Sequence, residues 1–419
     1  MTYIEFFDKT AIENVATCLA YVPDRVIFLS DNTKRIKKQI ECYREVFAAR
    51  GHNIEFEARA VSKSKLDEAI NVLEKIVQDY EDCVFDITGG EELLMLALGF
   101  VCANHPEKKI QVHKVSVQNN KIYDYDRNGT TTYQASPQLS VAENIRIYGG
   151  RIVYESNGVV RTNTWDLNPQ FRQDVAALWE ICKGCGRFWN VQIGTFAAIE
   201  TVGRVSADGL TTVATQFALK KYLDKHGFSY AKIKDILDPL MEQGFITKYE
   251  DSAEDVVTIR YKDSQVKRCL IRAGQVLEMK VFMAVNDVTD NEGNPVYQDA
   301  MNGVVIDWDG EFHNEAAGEE YDTENEVDIM LMHDIVPVFI SCKNGQVTAD
   351  ELYKLQTISQ RFGGEYAKKV LVATALDLLG DSAKYLRQRA VDMGITIIDD
   401  VQDITDETLL EKVKNLWDK

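Results

Sequence analysis

Asn325–Asn344, NEVDIMLMHDIVPVFISCKN, is the stretch that decides the fold of the C-terminal third of this chain. Glu326–Met332 and Val336–Cys342 read as strands that meet at a turn near His333–Asp334. Side chains alternate between the faces of a strand, so Glu326 and Asp328 share a face of the first strand. Ser341 and Lys343 share a face of the second, with Cys342 pointing the other way. A hairpin in this register brings Asp328 close to Lys343. Phosphodiester hydrolysis needs such a set. Carboxylates hold Mg2+ or Mn2+ through hard oxygen ligands. The metal stabilises charge on the phosphate and lowers the pKa of an attacking water. A neighbouring lysine positions that water and steadies the developing negative charge.

Outward from the hairpin, residues 264–419 read as one unit. A helix at Ala273–Ala284 precedes a strand at Gly303–Trp308 and the two hairpin strands. Then come a helix at Ala349–Phe362, a strand at Lys369–Thr374, a helix at Ala383–Met393, a strand at Ile395–Ile398 and a closing helix at Glu407–Trp417. The order is αβββαβ with extensions. An acidic loop, Asp309–Asn325, joins the first two strands and is expected at the surface.

Residues 1–138 alternate strand and helix. Strands are expected at Ile4–Phe7, Arg25–Ser30, Ile54–Val61, Cys83–Ile87 and Ile110–Val117. Helices are expected at Thr10–Tyr21, Lys34–Arg50, Lys65–Tyr80 and Glu91–Asn104. Repeated βα units imply a mostly parallel, doubly wound Rossmann-like α/β sheet. In such sheets ligands sit beyond the carboxyl ends of the strands. Two loops stand there: Ser30-Asp31-Asn32-Thr33, and Asp86–Glu92 with Thr88, Gly89 and Gly90. The glycines permit a tight turn and leave amides free at a helix start for an anionic group. Glu91 and Glu92 suit a helix N-terminus but repel any phosphate that approaches it head-on. No GxGxxG follows the first strand, which argues against a nicotinamide or flavin enzyme.

Between these lies a stretch, 139–263, of different character. Helices are expected at Gln170–Ile181, Thr195–Val202, Ala214–Lys225 and Tyr230–Gln243, followed by a hairpin from Phe245–Glu250 and Asp255–Tyr261. Two helices and a two-stranded wing make a winged-helix pattern. Its second helix carries Lys232 and Lys234 against Asp235, Asp238 and Glu242, which favours a structural or dimerisation role over DNA reading.

Composition sets outer bounds. The chain has 419 residues, a net charge of −19 and 45% hydrophobic residues. That length favours about two to three domains. The charge excludes a broadly basic nucleic-acid coat and implies weak, salt-sensitive affinity for any nucleic-acid substrate. No run approaches the roughly 20 apolar residues that span a bilayer. MTYIEFFDKT has neither the basic nor the apolar region of a signal peptide. A cytoplasmic protein without membrane attachment is expected, its 8 cysteines reduced. Cys182-Lys-Gly-Cys185 lacks a second pair of zinc ligands and reads as plain thiols. His113 and His333 have no partner spacing and read as core or turn residues.

EVD and SCK, in the αβββαβ frame, resemble the PD-(D/E)XK nuclease superfamily. The resemblance places Glu278 on the preceding helix, Asp328 on the second strand and Lys343 on the third. It makes Glu278, Glu326, Asp328, Ser341 and Lys343 the candidate catalytic residues and Glu278, Glu326 and Asp328 the metal ligands. Ser341 stands where the family has Asp or Glu, so either the missing carboxylate comes from elsewhere, with Glu326 the nearest candidate and Glu278 the other ligand, or metal binding is weaker. Tyr353 and Gln356 fall on the following helix, where related nucleases carry a supporting side chain. FLSD (Phe28–Asp31) and DITGG (Asp86–Gly90) resemble the two hallmark loops of the CARF domain, with TGGEE in place of the common TGGTK. The chain as a whole is similar to CARF plus PD-(D/E)XK ancillary nucleases of type III CRISPR systems. The resemblance implies a homodimer and a cyclic oligoadenylate activator, cyclic tetra-adenylate first. Ser30, Asp31, Asn32, Thr33, Thr88, Gly89 and Gly90 would line its pocket. Metal-dependent cleavage of DNA, RNA or both would follow. A cyclic tetramer carries a two-fold axis that a dimer pocket can share. Two other functions compete: a ligand-sensing transcriptional regulator with a degenerate nuclease domain, and a constitutive repair or restriction nuclease.

Overall fold

The computed structural model describes residues 1–125, 131–156, 159–162, 164–227, 234–252, 255–311, 313, 323–376 and 380–416. Lys232 and most of the acidic loop lie outside the described residues.

The N-terminal sheet has seven strands in the spatial order Glu55–Ala60, Arg25–Ser30, Thr2–Phe6, Cys83–Asp86, Ile110–Ser116, Lys121–Tyr125 and Thr131–Ala135. The first five are parallel. The chain starts in the middle and winds outward both ways, so the switch point falls between Thr2–Phe6 and Cys83–Asp86. The last two strands run antiparallel and have no counterpart in the sequence reading. KIYDY and TTYQA contain no apolar run, and Thr131–Ala135 is exposed throughout. The helix expected over Thr10–Tyr21 is broken at Val15 into Ala11–Asn14, a 3-10 turn, and Ala16–Tyr21. Asn14 explains the break: its amide nitrogen donates to the carbonyls of Asp8 and Thr10, which holds the first turn tight.

Alternation sorts the strands cleanly. Tyr3, Val26 and Phe28 face helix Thr33–Ala49, packing with Ile36, Ile40, Tyr43 and Phe47. Ile4, Phe6, Ile27, Leu29 and Phe85 face the other side, against Leu73 and Leu98.

The C-terminal sheet has six strands in the order Ile395–Ile398, Lys368–Ala373, Val336–Lys343, Glu324–His333, Asp299–Asp307 and Arg151–Ile152. The three long central strands form an antiparallel meander, and Lys368–Ala373 joins it in parallel, as the αβββαβ order requires. The edge strand, Arg151–Ile152, comes from the stretch between the two sheets. Helix Gln275–Asp287 covers the face that bears Ile329, Leu331, Val338, Ile340 and Cys342. Helix Ala349–Gly363 covers the opposite face, with Met330, Met332, Phe339 and Leu371. That second core runs on without interruption into Tyr3, Phe28 and Tyr43 of the N-terminal unit.

In the middle stretch, helices Pro169–Cys185, Trp189–Val202, Gln216–His226 and Lys234–Glu242 precede a hairpin of Ile246–Ser252 with Val256–Tyr261. Ala214 and Thr215 belong to a strand, Thr211–Thr215, and not to the helix expected to begin there. Thr215 instead caps that helix, its hydroxyl accepting from the Ala218 amide at 3.2 Å.

Candidate functional site

Pleat parity brings Asp328, Ser341 and Lys343 to one face, the one covered by helix Ala349–Gly363. The ladder between Glu324–His333 and Val336–Lys343 ends at the pair Ile329–Ile340. Just beyond it, Asp328 Oδ2 accepts from the Cys342 amide at 2.7 Å and from Ser341 Oγ at 3.2 Å. Lys343 Nζ lies 3.6 Å from the same oxygen. Ser341 is therefore a hydrogen-bond donor to the carboxylate.

Lys343 has a second partner that the sequence reading missed. Glu351, in the first turn of helix Ala349–Gly363, places Oε2 3.2 Å from Lys343 Nζ. Burial disfavours the ammonium, but the charges of Asp328 and Glu351 outweigh it and hold the Lys343 pKa above its usual value. Burial likewise opposes the Glu351 carboxylate, yet Lys343 and Lys354 prevail and hold it low. The two side chains lock each other in the charged state.

Glu326, Asp328, Ser341, Lys343, Glu351 and Tyr353 line one cleft of about 580 Å³. Glu326 is half exposed and lies 3.5 Å from Arg272 Nη1. Gln356 is turned away and accepts from Lys369 Nζ at 2.7 Å. Glu278 approaches from the helix on the other face of the sheet. Burial, then the charges of Asp328 and Glu326, push its pKa up to about 8 against the pull of Lys343 and Arg272. Gln275 fixes it, donating to Glu278 Oε2 at 3.0 Å and to Asn302 Oδ1 at 3.1 Å. Asn302 in turn donates to the Asp328 carbonyl at 2.9 Å. Among the described residues, no group of three or more His, Cys, Asp and Glu side chains is gathered closely enough to hold a metal ion unaided.

The N-terminal loops converge as well. Strands Arg25–Ser30, Thr2–Phe6 and Cys83–Asp86 are neighbours, so Ser30, Asp8 and Thr88–Gly90 stand at the same carboxyl edge. Ser30 is buried and accepts from the Asn32 amide at 3.2 Å. Asn32 caps helix Thr33–Ala49 through the Arg35 amide, and Asp31 is exposed beside it. The Thr88 hydroxyl accepts from the Val115 amide at 2.7 Å, and the Thr88 amide donates to Asp86 Oδ1 at 2.6 Å. The glycines have a packing reason of their own. A Cβ on Gly89 would stand 2.6 Å from Asp8 Cβ, and one on Gly90, whose φ is +96°, would stand 2.6 Å from Phe6 Cβ. Close backbone approach here is first an approach to strand Thr2–Phe6. Asp8, which sequence reasoning passed over, is legible only once the strand order is known.

Cys182 accepts from Asn344 Nδ2 at 3.4 Å, and none of the eight cysteines is in a disulfide. His113 bonds Tyr3 Oη at 2.7 Å and His333 bonds the Val296 carbonyl at 2.7 Å. Both are structural. Among the described residues no helix is long and apolar enough to cross a membrane.

The fold of the whole chain is shared with two solved structures. Protein VC1899 from Vibrio cholerae matches with a TM-score of 0.66 at 16% identity, over 100% of this chain and 97% of that one. Can2 from Sulfobacillus thermosulfidooxidans, solved in complex with cyclic tetra-adenylate, matches with a TM-score of 0.65 at 15% identity, over 98% and 99%. No family model and no curated protein matches the sequence. The likeness is one of fold, and it extends from end to end.

Proposed function

We propose that this chain is a cyclic-oligoadenylate-activated, metal-dependent nuclease of type III CRISPR antiviral defence. It would act in the cytoplasm as a homodimer on DNA, RNA or both, with cyclic tetra-adenylate as activator. The observation that carries the reading is Lys343, held between Asp328 and Glu351 in an open cleft of a chain with the fold of Can2.

The donor chemistry fits Mg2+ or Mn2+. Asp328 and Glu278 offer hard carboxylate oxygens; burial first, and then the charges of Asp328 and Glu326, raise the Glu278 pKa, and a divalent cation between the acids would favour its ionised form. When bound, such a cation supplies charge neutralisation on the phosphate and a more acidic water. Asp328 and Glu278 would hold it, with Glu326 at the cleft mouth. Ser341 orients the Asp328 carboxylate. Lys343, kept charged by its two partners, steadies the negative charge that develops on the phosphate.

The test is cleavage of single-stranded DNA, RNA and supercoiled plasmid with Mn2+, with and without cyclic tetra-adenylate. Activator-dependent cutting supports the proposal. Cutting without activator points to a constitutive nuclease. Ligand binding with no cutting of any substrate points to a transcriptional regulator with a degenerate nuclease domain.

A further inference from the structure

The lysine of the candidate site is tied to a helix whose far end touches the N-terminal unit. Glu351 lies in the first turn of helix Ala349–Gly363, and the turn Gly364–Tyr366 follows at once. Tyr366 Oη donates to Glu13 Oε1 at 2.6 Å. Glu13 belongs to the tight turn Ala11–Asn14. Asn14, next in sequence, accepts from the Asp8 amide at 2.6 Å and donates to the Asp8 carbonyl at 3.0 Å. Asp8 packs directly against Gly89. An unbroken run of contacts thus joins the loops at the switch point of one sheet to Lys343 on the other.

The helix is built as a stiff link. Leu352, Leu355, Ile358 and Phe362 bury one face in the core shared by both sheets, and close-packed cores transmit displacement. Its last turn is pinned: Asn144 Nδ2 donates to the Phe362 carbonyl at 2.7 Å, and Arg361 donates to the carbonyls of Trp308 and Tyr148. At the other end, Lys354 holds the second oxygen of Glu351 at 3.1 Å.

We propose that Glu351 is the positioning residue for Lys343, and that helix Ala349–Gly363, through Tyr366 and Glu13, conveys the state of the N-terminal ligand loops to that lysine. This rests on the nuclease reading and adds its route of regulation. Without Glu351, Lys343 keeps, among the described residues, the ion pair with Asp328 at 3.6 Å on a flexible four-carbon stem. A shift of the helix carries Glu351 with it, and misplacing a reacting group by about 1 Å costs on the order of 100-fold in rate.

The test uses full-length protein with Mn2+, with and without cyclic tetra-adenylate, in the wild type and in Glu351→Gln, Glu351→Asp, Tyr366→Phe, Glu13→Gln and the Tyr366→Phe/Glu13→Gln pair. Glu351→Gln is expected to lower kcat about 10- to 100-fold with KM little changed, and Glu351→Asp to recover part of the loss. Tyr366→Phe is expected to bind activator normally by calorimetry, while the ratio of activated to unactivated rate falls about fivefold or more. The pair should fall no further than either single variant. An unchanged kcat in Glu351→Gln overturns the positioning role. An unchanged activation ratio in Tyr366→Phe, or additive losses in the pair, overturns the route. Amide hydrogen exchange separates these failures from failure of the nuclease reading. Cyclic tetra-adenylate should alter protection across Ala349–Gly363 in the wild type and not in Tyr366→Phe, whether or not the chain cleaves. No change in the wild type overturns the route.

Discussion

Asp328 ends the central hairpin with its side chain, Oδ2 accepting the main-chain N–H of Cys342 at 2.7 Å. The carboxylate is fixed by the backbone where the two strands part. Lys343, farther away at 3.6 Å and nearer to Glu351 at 3.2 Å, is not what fixes the carboxylate. Stability and chemistry therefore separate at this position. Asp328→Asn keeps an acceptor for Cys342 and should fold normally by circular dichroism. Asp328→Ala leaves that buried amide unpaired, at a cost of about 1–3 kcal/mol in thermal or urea unfolding.

For cleavage the order of effects differs. Asp328→Asn and Lys343→Ala should both reduce metal-dependent cutting to background at saturating cyclic tetra-adenylate. Glu278→Gln or Glu326→Gln, or both, should do the same. Ser341→Ala should cost at most about tenfold, since the hydroxyl orients a ligand and is itself a poor one. Full activity in Asp328→Asn would falsify the site assignment.

The N-terminal loops need variants that leave the packing alone. Gly90→Val meets Phe6 and Met95 with φ at +96°, so it should destabilise the chain by about 1–3 kcal/mol or more with or without ligand. Asp31 is exposed, and Asp31→Trp should leave the melting temperature unchanged while weakening cyclic tetra-adenylate binding in calorimetry. Unaltered affinity in Asp31→Trp would remove this loop from the pocket.

Asp86 ties the TGG loop to a pH-dependent stability. Burial pushes its pKa up to about 6, against hydrogen bonds from Thr17 and Thr88, and Oδ2 has no hydrogen-bond partner. A carboxyl raised on folding contributes stability that is complete below its unfolded value of about 4 and lost as pH rises through about 6. Asn at this position keeps an acceptor for the Thr88 amide and carries no charge. Asp86→Asn should therefore be more stable than the wild type at pH 8, by up to about 3 kcal/mol. The advantage should vanish below pH of about 4. Urea unfolding across that range checks it, and equal stability at pH 8 would refute it.

Helix Glu92–Asn104 buries Leu94, Ala97, Leu98 and Val101, yet Leu96 and Phe100 remain 52% and 46% exposed. They lie one turn apart on one face, beside the loop expected to bind a two-fold symmetric ligand. Light scattering should find a dimer with one cyclic tetra-adenylate per two chains. Leu96→Glu with Phe100→Glu should yield monomers that no longer bind it. A monomeric wild type binding one ligand per chain would end the dimer proposal.

The sequence by itself determined what short-range geometry controls. Arg25–Ser30 reads as a strand with its exact bounds because an apolar run buried on both faces has no other stable conformation of that length. Asp328 and Lys343 were legible because a strand's two-residue period fixes which side chains share a face. The strands Lys121–Tyr125 and Thr131–Ala135 were not, because their polar residues pair through the backbone, which leaves no hydrophobic pattern. Glu351 escaped for a different reason. Periodicity tells which face of helix Ala349–Gly363 is buried, but not which turn of it stands over which strand residue. Asp8 beside Gly89, Glu278 feeling the charge of Asp328 from the far face, and Tyr366 on Glu13 are likewise relations between residues distant in sequence. They are set by how two sheets and their helices share a single core, a property of the packed chain that no local pattern encodes.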